Sequence, residues 1–202
     1  MYEMIILALL ARWPLHGYLI AKITNDVLGP YARLSNGRLY PLLAKLEAAG
    51  LIVAAVDAEP ASDGRRQRQY AITDEGRRRL HDLLMDTTSN QGDYQRIFWY
   101  KLSYLDLLTL DERVYLLDHY ITYCQSHIFH YTAEIADMPA HHEHFQRAPA
   151  AYRHAVIDVL EHTLRRWRLE LEDAMQWRAR VAAEHPDTPE GAAGSGQKER
   201  PE

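Results

Sequence analysis

Ser35-Asn36-Gly37-Arg38-Leu39-Tyr40-Pro41-Leu42-Leu43-Ala44-Lys45-Leu46-Glu47-Ala48-Ala49-Gly50 is the stretch on which the fold turns. Ser35 suits an N-cap, Leu39, Leu42, Leu43 and Leu46 fall on one helical face, and Gly50 suits a C-terminal stop. The spacing predicts a helix from Ser35 to about Ala49. Pro41 is the discordant residue. Beyond the first turn it removes a backbone hydrogen bond, which predicts regular bonding only from nearer Arg38 to Tyr40.

Two further helices are predicted upstream. Met4 to Ala11 is almost wholly apolar and reads as a short buried helix ended by Trp13-Pro14, because the residue before a proline disfavours the helical region. A second starts near His16, carries Ile20, Ile23 and Val27 at spacings of three and four, and stops at Gly29-Pro30. Downstream, Leu51 to Val56 is apolar, Asp57 to Gly64 is rich in turn formers, and Arg66 to Thr73 places Tyr70 and Ile72 on one face. That order is a β-hairpin with a long tip. Thr73 then caps a fourth helix whose Asp74 and Glu75 suit the positive end of the helix dipole and whose Leu80, Leu83 and Leu84 turn inward. Three helices, a hairpin and a helix make a winged helix-turn-helix.

After a polar break at Thr87 to Asp93 the chain becomes aromatic-rich helix, with Phe98, Leu102 and Leu105 on one face. Val114, Leu117, Ile121, Cys124, Ile128, Tyr131 and Ile135 alternate at spacings of three and four, and so do Ile157, Leu160, Leu164, Trp167, Leu171 and Ala174 beyond the Pro139 to Pro149 connection. Each is a narrow heptad stripe that needs a partner. The two stripes can satisfy each other in an antiparallel hairpin, but packing against a second chain buries more surface per residue. Dimerisation is therefore expected through Leu117, Ile121, Cys124, Ile128, Leu160, Leu164, Trp167 and Leu171. The fold expected is mainly α with a small β-hairpin: a winged helix over residues 1–90, a helical dimerisation domain over 91–184, and a disordered tail over 185–202, where apolar surface is too scarce to fold.

The 202 residues are 47% apolar, enough for a core, and the run Met4 to Ala11 is far short of the roughly 20 residues that cross a bilayer. A soluble, cytoplasmic protein, nucleoid-associated when bound to DNA, is expected. The one cysteine, Cys124, excludes an intramolecular disulfide and a cysteine-based zinc site within one chain. The net charge of −5 argues weakly against nucleic acid, but it is uneven: +1 over residues 1–90 and −6 over 91–202. Arg65, Arg66 and Arg68 form a local basic cluster on the hairpin; Arg77, Arg78 and Arg79 read as a solvated face.

Four blocks in order carry a family resemblance: Pro14-Leu15-His16-Gly17-Tyr18 with Ile20; Gly37-Arg38-Leu39-Tyr40-Pro41-Leu42-Leu43; Leu46-Glu47-Ala48-Ala49-Gly50-Leu51-Ile52; and Tyr70-Ala71-Ile72-Thr73 with Gly76 and Leu80. Leu10 through Leu80 resembles the PadR family of winged-helix regulators. The resemblance places Pro41 where that family's recognition helix has its proline, and beyond residue 90 it is one of pattern and length alone. It implies repression of nearby genes, relieved in many cases by a small aromatic or otherwise hydrophobic effector.

A winged helix puts its third helix in the major groove and its hairpin along the neighbouring backbone. Ser35, Asn36 and Gly37 then offer backbone N–H groups at a helix N-terminus to a phosphate, and Gly37 permits close approach. Arg38 and Tyr40 are the candidates for base or backbone contact, Lys45 for backbone only, and Arg65, Arg66 and Arg68 for phosphates. Trp99, Tyr100, Tyr104, Tyr120, Tyr123 and Tyr131 are candidate walls of an effector pocket where the helical domain meets the winged helix. No phosphate-cradling glycine loop, nucleophile elbow or Cys-His pairing speaks for an enzyme. No cofactor and no metal are expected, His141, His142 and His144 reading as a polar loop and His127 and His130 as packing residues. The rival reading is a winged helix used for protein contact, with a helical adaptor and no DNA.

Overall fold

The computed structural model describes residues 1–29, 34–56, 68–88, 93–141 and 143–184. The chain divides into two compact units, Met1–Thr109 and Leu110–Glu202. The first holds α1 (Tyr2–Arg12), β1 (Leu15–His16), α2 (Gly17–Leu28), α3 (Asn36–Ala48), β2 (Ile52–Val56), β3 (Arg68–Ile72), α4 (Asp74–Met85), α5 (Tyr94–Leu102) and a 3-10 turn at Leu105–Leu107. This is the winged helix-turn-helix predicted, with a three-stranded antiparallel sheet in the order β1-β3-β2. Leu15 faces Tyr70, and β2 pairs with β3 from Ile52 opposite Ile72 to Val56 opposite Arg68. The third strand, β1, was not expected: two residues carry no alternation from which a strand can be read.

α1 is buried from Met4 through Leu10, and it forms the centre around which Ile20, Leu39, Leu43, Leu46, Tyr70, Leu80 and Leu84 close. Leu42 and Leu83, both expected inward, are half-buried. Phe98, Leu102 and Leu105 are buried as one face, and α5 and the 3-10 turn cluster with the winged helix. The bidentate ion pair of Arg12 with Asp106, at 2.7 and 2.8 Å, ties that turn to the end of α1. The contact boundary therefore falls between Thr109 and Leu110, and the boundary expected near residue 90 lies inside the first unit.

One joint locks β2 to α4. The Thr73 hydroxyl donates to the Gly50 and Leu51 carbonyls and accepts from the Gly76 amide, while the Thr73 amide donates to the Leu51 carbonyl at 3.1 Å. Gly50 has φ +71°, the left-handed conformation that suits a glycine at the end of α3. Gly76 is tighter still: a Cβ there would stand 2.0 Å from the Leu51 carbonyl oxygen. Hydrogen bonding and the clearance of one missing methyl group thus fix the hairpin base against α4.

Arg77, Arg78 and Arg79 are exposed, as expected of a solvated face, but each has a partner within the chain. Arg77 donates to the Ala11 carbonyl, Arg79 pairs with Glu3 at 2.8 Å, and Arg78 pairs with Glu75 on its own helix. Two of the three are struts between α4 and α1. Lys101 of α5 is buried too, its ammonium donating to the Asp86 carbonyl at the end of α4, where the helix dipole favours a cation. Burial lowers its pKa to about 8 against the opposing pull of Asp86.

The second unit consists of α6 (Leu110–His141), α7 (Glu143–Arg147) and α8 (Ala150–Ala183). α6 continues past Pro139, where the lost bond is among the last of the helix, and the connection expected to be loop contains α7. α6 and α8 pack against each other, with Leu116, Leu117, Tyr120 and Cys124 of one and Leu164, Ala174 and Val181 of the other buried. Part of each stripe is thus covered within the chain, as in the antiparallel hairpin that the spacing also allows. Ile121, Ile128, Leu160, Trp167 and Leu171 stay half-buried, while Phe129, Val159, Leu169 and Met175 are exposed. Polar links across the hairpin are Tyr120 to Glu170, Arg178 to Asp118 and Arg113 to Glu184. Among the described residues no helix is long and apolar enough to cross a membrane.

Candidate nucleic-acid interface

α3 begins at Asn36, directly after Ser35, so the late start expected from Pro41 does not occur. The Ser35 carbonyl accepts from both Arg38 and Leu39, at 2.9 Å each. Pro41 is accommodated on the exposed face of α3, where Gly37, whose carbonyl it cannot bond, is exposed as well. Ser35 occupies the N-cap position without a side-chain capping bond. The start of α3 is instead held by Asn25, on which the sequence reading is silent: its Nδ2 donates to the Leu34 carbonyl at 3.2 Å and its Oδ1 accepts from the Leu34 amide at 2.6 Å. One amide side chain thereby grips both polar groups of the buried residue that precedes the helix.

With Leu39, Leu43 and Leu46 buried, α3 turns outward Asn36, Gly37, Arg38, Tyr40, Pro41, Ala44, Lys45 and Ala48. Four of these eight are Gly, Pro or Ala, so the face is low and permits close approach to a groove. The Arg38 guanidinium lies over the Tyr2 ring, 5.3 Å from its centroid, a cation–π contact that holds it in place at little desolvation. Tyr40 is 49% exposed, so it is not a core ring. Its ring lies across Gly17 at the start of α2, where a Cβ would come within 3.1 Å. That contact gives the His16-Gly17-Tyr18 block a physical reason. Tyr18, 70% exposed and adjacent to this junction, is a further outward aromatic that the sequence reading left without a role.

Of the hairpin arginines, Arg65 and Arg66 lie outside the described residues. Arg68 pairs with Glu47 in the last turn of α3 at 3.0 Å and lies 5.9 Å from the centroid of the Tyr70 ring. The Tyr70 hydroxyl is pushed above its ordinary pKa by burial; Arg68 pulls it down, and Glu47 and Tyr40 push it up. Arg68, with Glu47 on one side and the Tyr70 ring on the other, therefore joins α3 to the hairpin.

The six aromatic candidates divide between the units. Trp99 and Tyr100 are half-buried and Tyr104 is buried in the first. Tyr120, Tyr123 and Tyr131 belong to the α6–α8 hairpin, where they form a column with His127 and Trp167. His127 stacks flat on Trp167 at 4.0 Å, and burial, aided by His130, lowers its pKa. Cys124 lies in the same interior, its thiol pushed up to about 12 by burial and by Glu170. A shallow groove of about 400 Å³ on α8, bounded by Arg168, Leu171, Glu172, Met175, Gln176 and Ala179, involves none of the six. Among the described residues no group of three or more His, Cys, Asp or Glu is arranged to hold a metal. The tail assigned to 185–202, and His142 of the histidine run, lie outside the described residues.

A tri-helical core with a three-stranded wing and an outward third helix defines the class of winged helix-turn-helix proteins. Residues 6–82 match the transcriptional regulator PadR-like family. A curated relative, an uncharacterised 37.1 kDa protein in transposon TN4556 of Streptomyces fradiae, is 40% identical over 78 residues, 39% of this chain. The match spans about a fifth of that protein's length (20%). Among solved structures, Bacillus subtilis PadR in complex with operator DNA is 19% identical, with 89% of this chain and 98% of that one covered and a TM-score of 0.38. The same protein in complex with p-coumaric acid is 20% identical over 89% and 98%, with a TM-score of 0.36. The Vibrio cholerae virulence activator AphA is 18% identical over 91% and 99%, also with a TM-score of 0.36.

Proposed function

We propose that this chain is a sequence-specific duplex-DNA-binding regulator that represses transcription as a homodimer and whose DNA affinity responds to a small aromatic or hydrophobic effector. The observation that carries the reading is the outward face of α3, on which Arg38, Tyr40 and Lys45 stand above a low surface while Asn25 and Gly17 hold the helix in place. Arg38 offers guanine a bidentate fork, Tyr40 and Lys45 position phosphates, and the amides of Asn36 and Gly37 meet a phosphate at the positive end of the helix. Ser35 contributes its place at that terminus rather than a side-chain cap. Arg65, Arg66 and Arg68 supply salt-dependent attraction along the backbone.

In this reading residues 1–90 bind DNA and the helices beyond them dimerise. Leu117 and Cys124 have no exposed area and Leu164 has little, so a second chain meets Ile121, Ile128, Leu160, Trp167 and Leu171 together with exposed Phe129, Val159, Leu169 and Met175. The aromatic effector rests on the six ring residues and is tested by saturable quenching of tryptophan fluorescence across a panel of aromatic acids.

The deciding experiment is a gel-shift titration against the DNA upstream of the protein's own coding region at two salt concentrations, with wild type and Arg38→Ala. Salt-sensitive retardation by the wild type, weakened about tenfold or more by the substitution, is expected, since one bidentate base contact contributes about 1–3 kcal/mol. Absence of any shift at low salt without competitor DNA moves the reading to a protein-contact module.

A further inference from the structure

We propose that Glu47 is a specificity-setting residue of this surface: its carboxylate withholds the Arg68 guanidinium from DNA backbone that α3 has not engaged, and so lowers sequence-independent affinity. The inference rests on the DNA-binding reading above and deepens it. Arg68 opens β3, is held in register by its pairing with Val56, and is the first described residue after the hairpin tip. It is the described hairpin residue best placed to meet a phosphate. Its guanidinium nevertheless turns back to Glu47, donating to both carboxylate oxygens at 3.0 and 3.4 Å.

The pair is poised rather than locked. The two side chains are 56% and 33% exposed, and an ion pair in that setting is weak and screened by salt, so a phosphate of equal charge competes with the carboxylate on similar terms. An arginine already beside a carboxylate gains little from a phosphate that comes within reach by chance, because it leaves one anion for another. The carboxylate left behind also repels that phosphate. Non-specific binding consists almost wholly of such backbone contacts, so withholding one cation from it acts on the term that carries no sequence information. Glu47 stands in the last turn of α3, and the Tyr70 ring flanks Arg68 at 5.9 Å from its centroid. Seating α3 in a groove therefore moves phosphates toward this cluster together with the base edges that α3 reads.

The test measures binding of the full chain to a random-sequence duplex by fluorescence anisotropy over a series of salt concentrations, for wild type, Glu47→Gln, Glu47→Ala, Arg68→Ala and the Glu47→Gln, Arg68→Ala double variant. Neutralising Glu47 is expected to tighten binding about threefold or more and to steepen the slope of log K against log salt by about 0.9, one further phosphate neutralised. The alanine variant should behave as the glutamine variant does, which separates charge from a residual hydrogen bond. In the Arg68→Ala background the gain should vanish. Wild-type affinity and slope in both Glu47 variants, or a gain that persists without Arg68, would overturn the inference while leaving DNA binding intact. Failure of the wild type itself to bind any duplex at low salt removes the DNA-binding reading, and Glu47's role with it.

Discussion

The two units of this chain solve the same problem, burial of apolar surface by helices, at different levels of detail. In Met1–Thr109 the short elements of the described residues are fixed by contacts that single atoms decide: a missing methyl at Gly76, another at Gly17, the Asn25 amide on Leu34, the Thr73 hydroxyl shared among three backbone groups. In Leu110–Glu202 two long helices meet along one seam, where volume and periodicity matter and a few surface pairs add little. A segment of the first kind constrains residues one by one, whereas a segment of the second constrains a pattern. The PadR-like match is accordingly confined to residues 6–82.

The contrast breaks most readily at Gly76. Gly76→Ala drives a Cβ to 2.0 Å from the Leu51 oxygen and should cost about 3 kcal/mol or more, seen as a lower midpoint in urea unfolding, whereas Gly29→Ala, strained only by φ +82° with open space around it, should cost about 1 kcal/mol. Equal costs would mean that backbone conformation and not clearance governs the joint. Next in size, Asn25→Ala strips both polar groups of Leu34 of their partner and should cost about 2 kcal/mol, with a loss of DNA affinity that Ser35→Ala, whose hydroxyl caps nothing, does not share.

A smaller effect is expected from Lys101, and its sign is fixed. Its folded-state pKa of about 8 lies below the unfolded value of 10.5, so between those two pH values the unfolded chain binds more protons and stability rises with pH; below about 8 the cost of the buried charge is constant. The stability of wild type relative to Lys101→Met should therefore increase by about 1–2 kcal/mol from pH 8 to pH 9.5, measured by denaturant titration at each pH. At the other end of the scale, Asp118→Asn breaks the exposed pair with Arg178 across the helical hairpin and should change stability by less than about 1 kcal/mol. A loss as large as that of Asn25→Ala would erase the distinction between the units.

What the sequence disclosed follows the same division. Helix order, the hairpin, the Thr73 cap and the glycine stops were legible because each depends on local chemistry carried by the residues themselves. β1 was not, having too few residues for a period, and the roles of Arg77 and Arg79 were not, because the partners that spend their charge lie on α1. Ser35 invited a capping bond on composition, but the work falls to Asn25, whose partner is Leu34, nine residues on. In the second unit the stripes were legible, but not that Leu117, Cys124 and Leu164 are buried where α6 and α8 of one chain pack: a heptad shows that a helix needs a companion without saying which of its residues that companion covers. The aromatic candidates divided between the units for a similar reason, since a cluster in composition has no address in space.

Pro41 has a consequence that side-chain inventories omit. Having no N–H, it leaves the Gly37 carbonyl, on the outward face of α3, without the bond that a residue at position 41 would otherwise donate. Beside Arg38, whose guanidinium only donates, the surface thus also shows an acceptor written in the main chain, of the polarity that seeks an amino group. No exchange of side chain at position 37 deletes it. A mutational scan of this surface would pass over one of its letters, and only giving position 41 an amide would silence it.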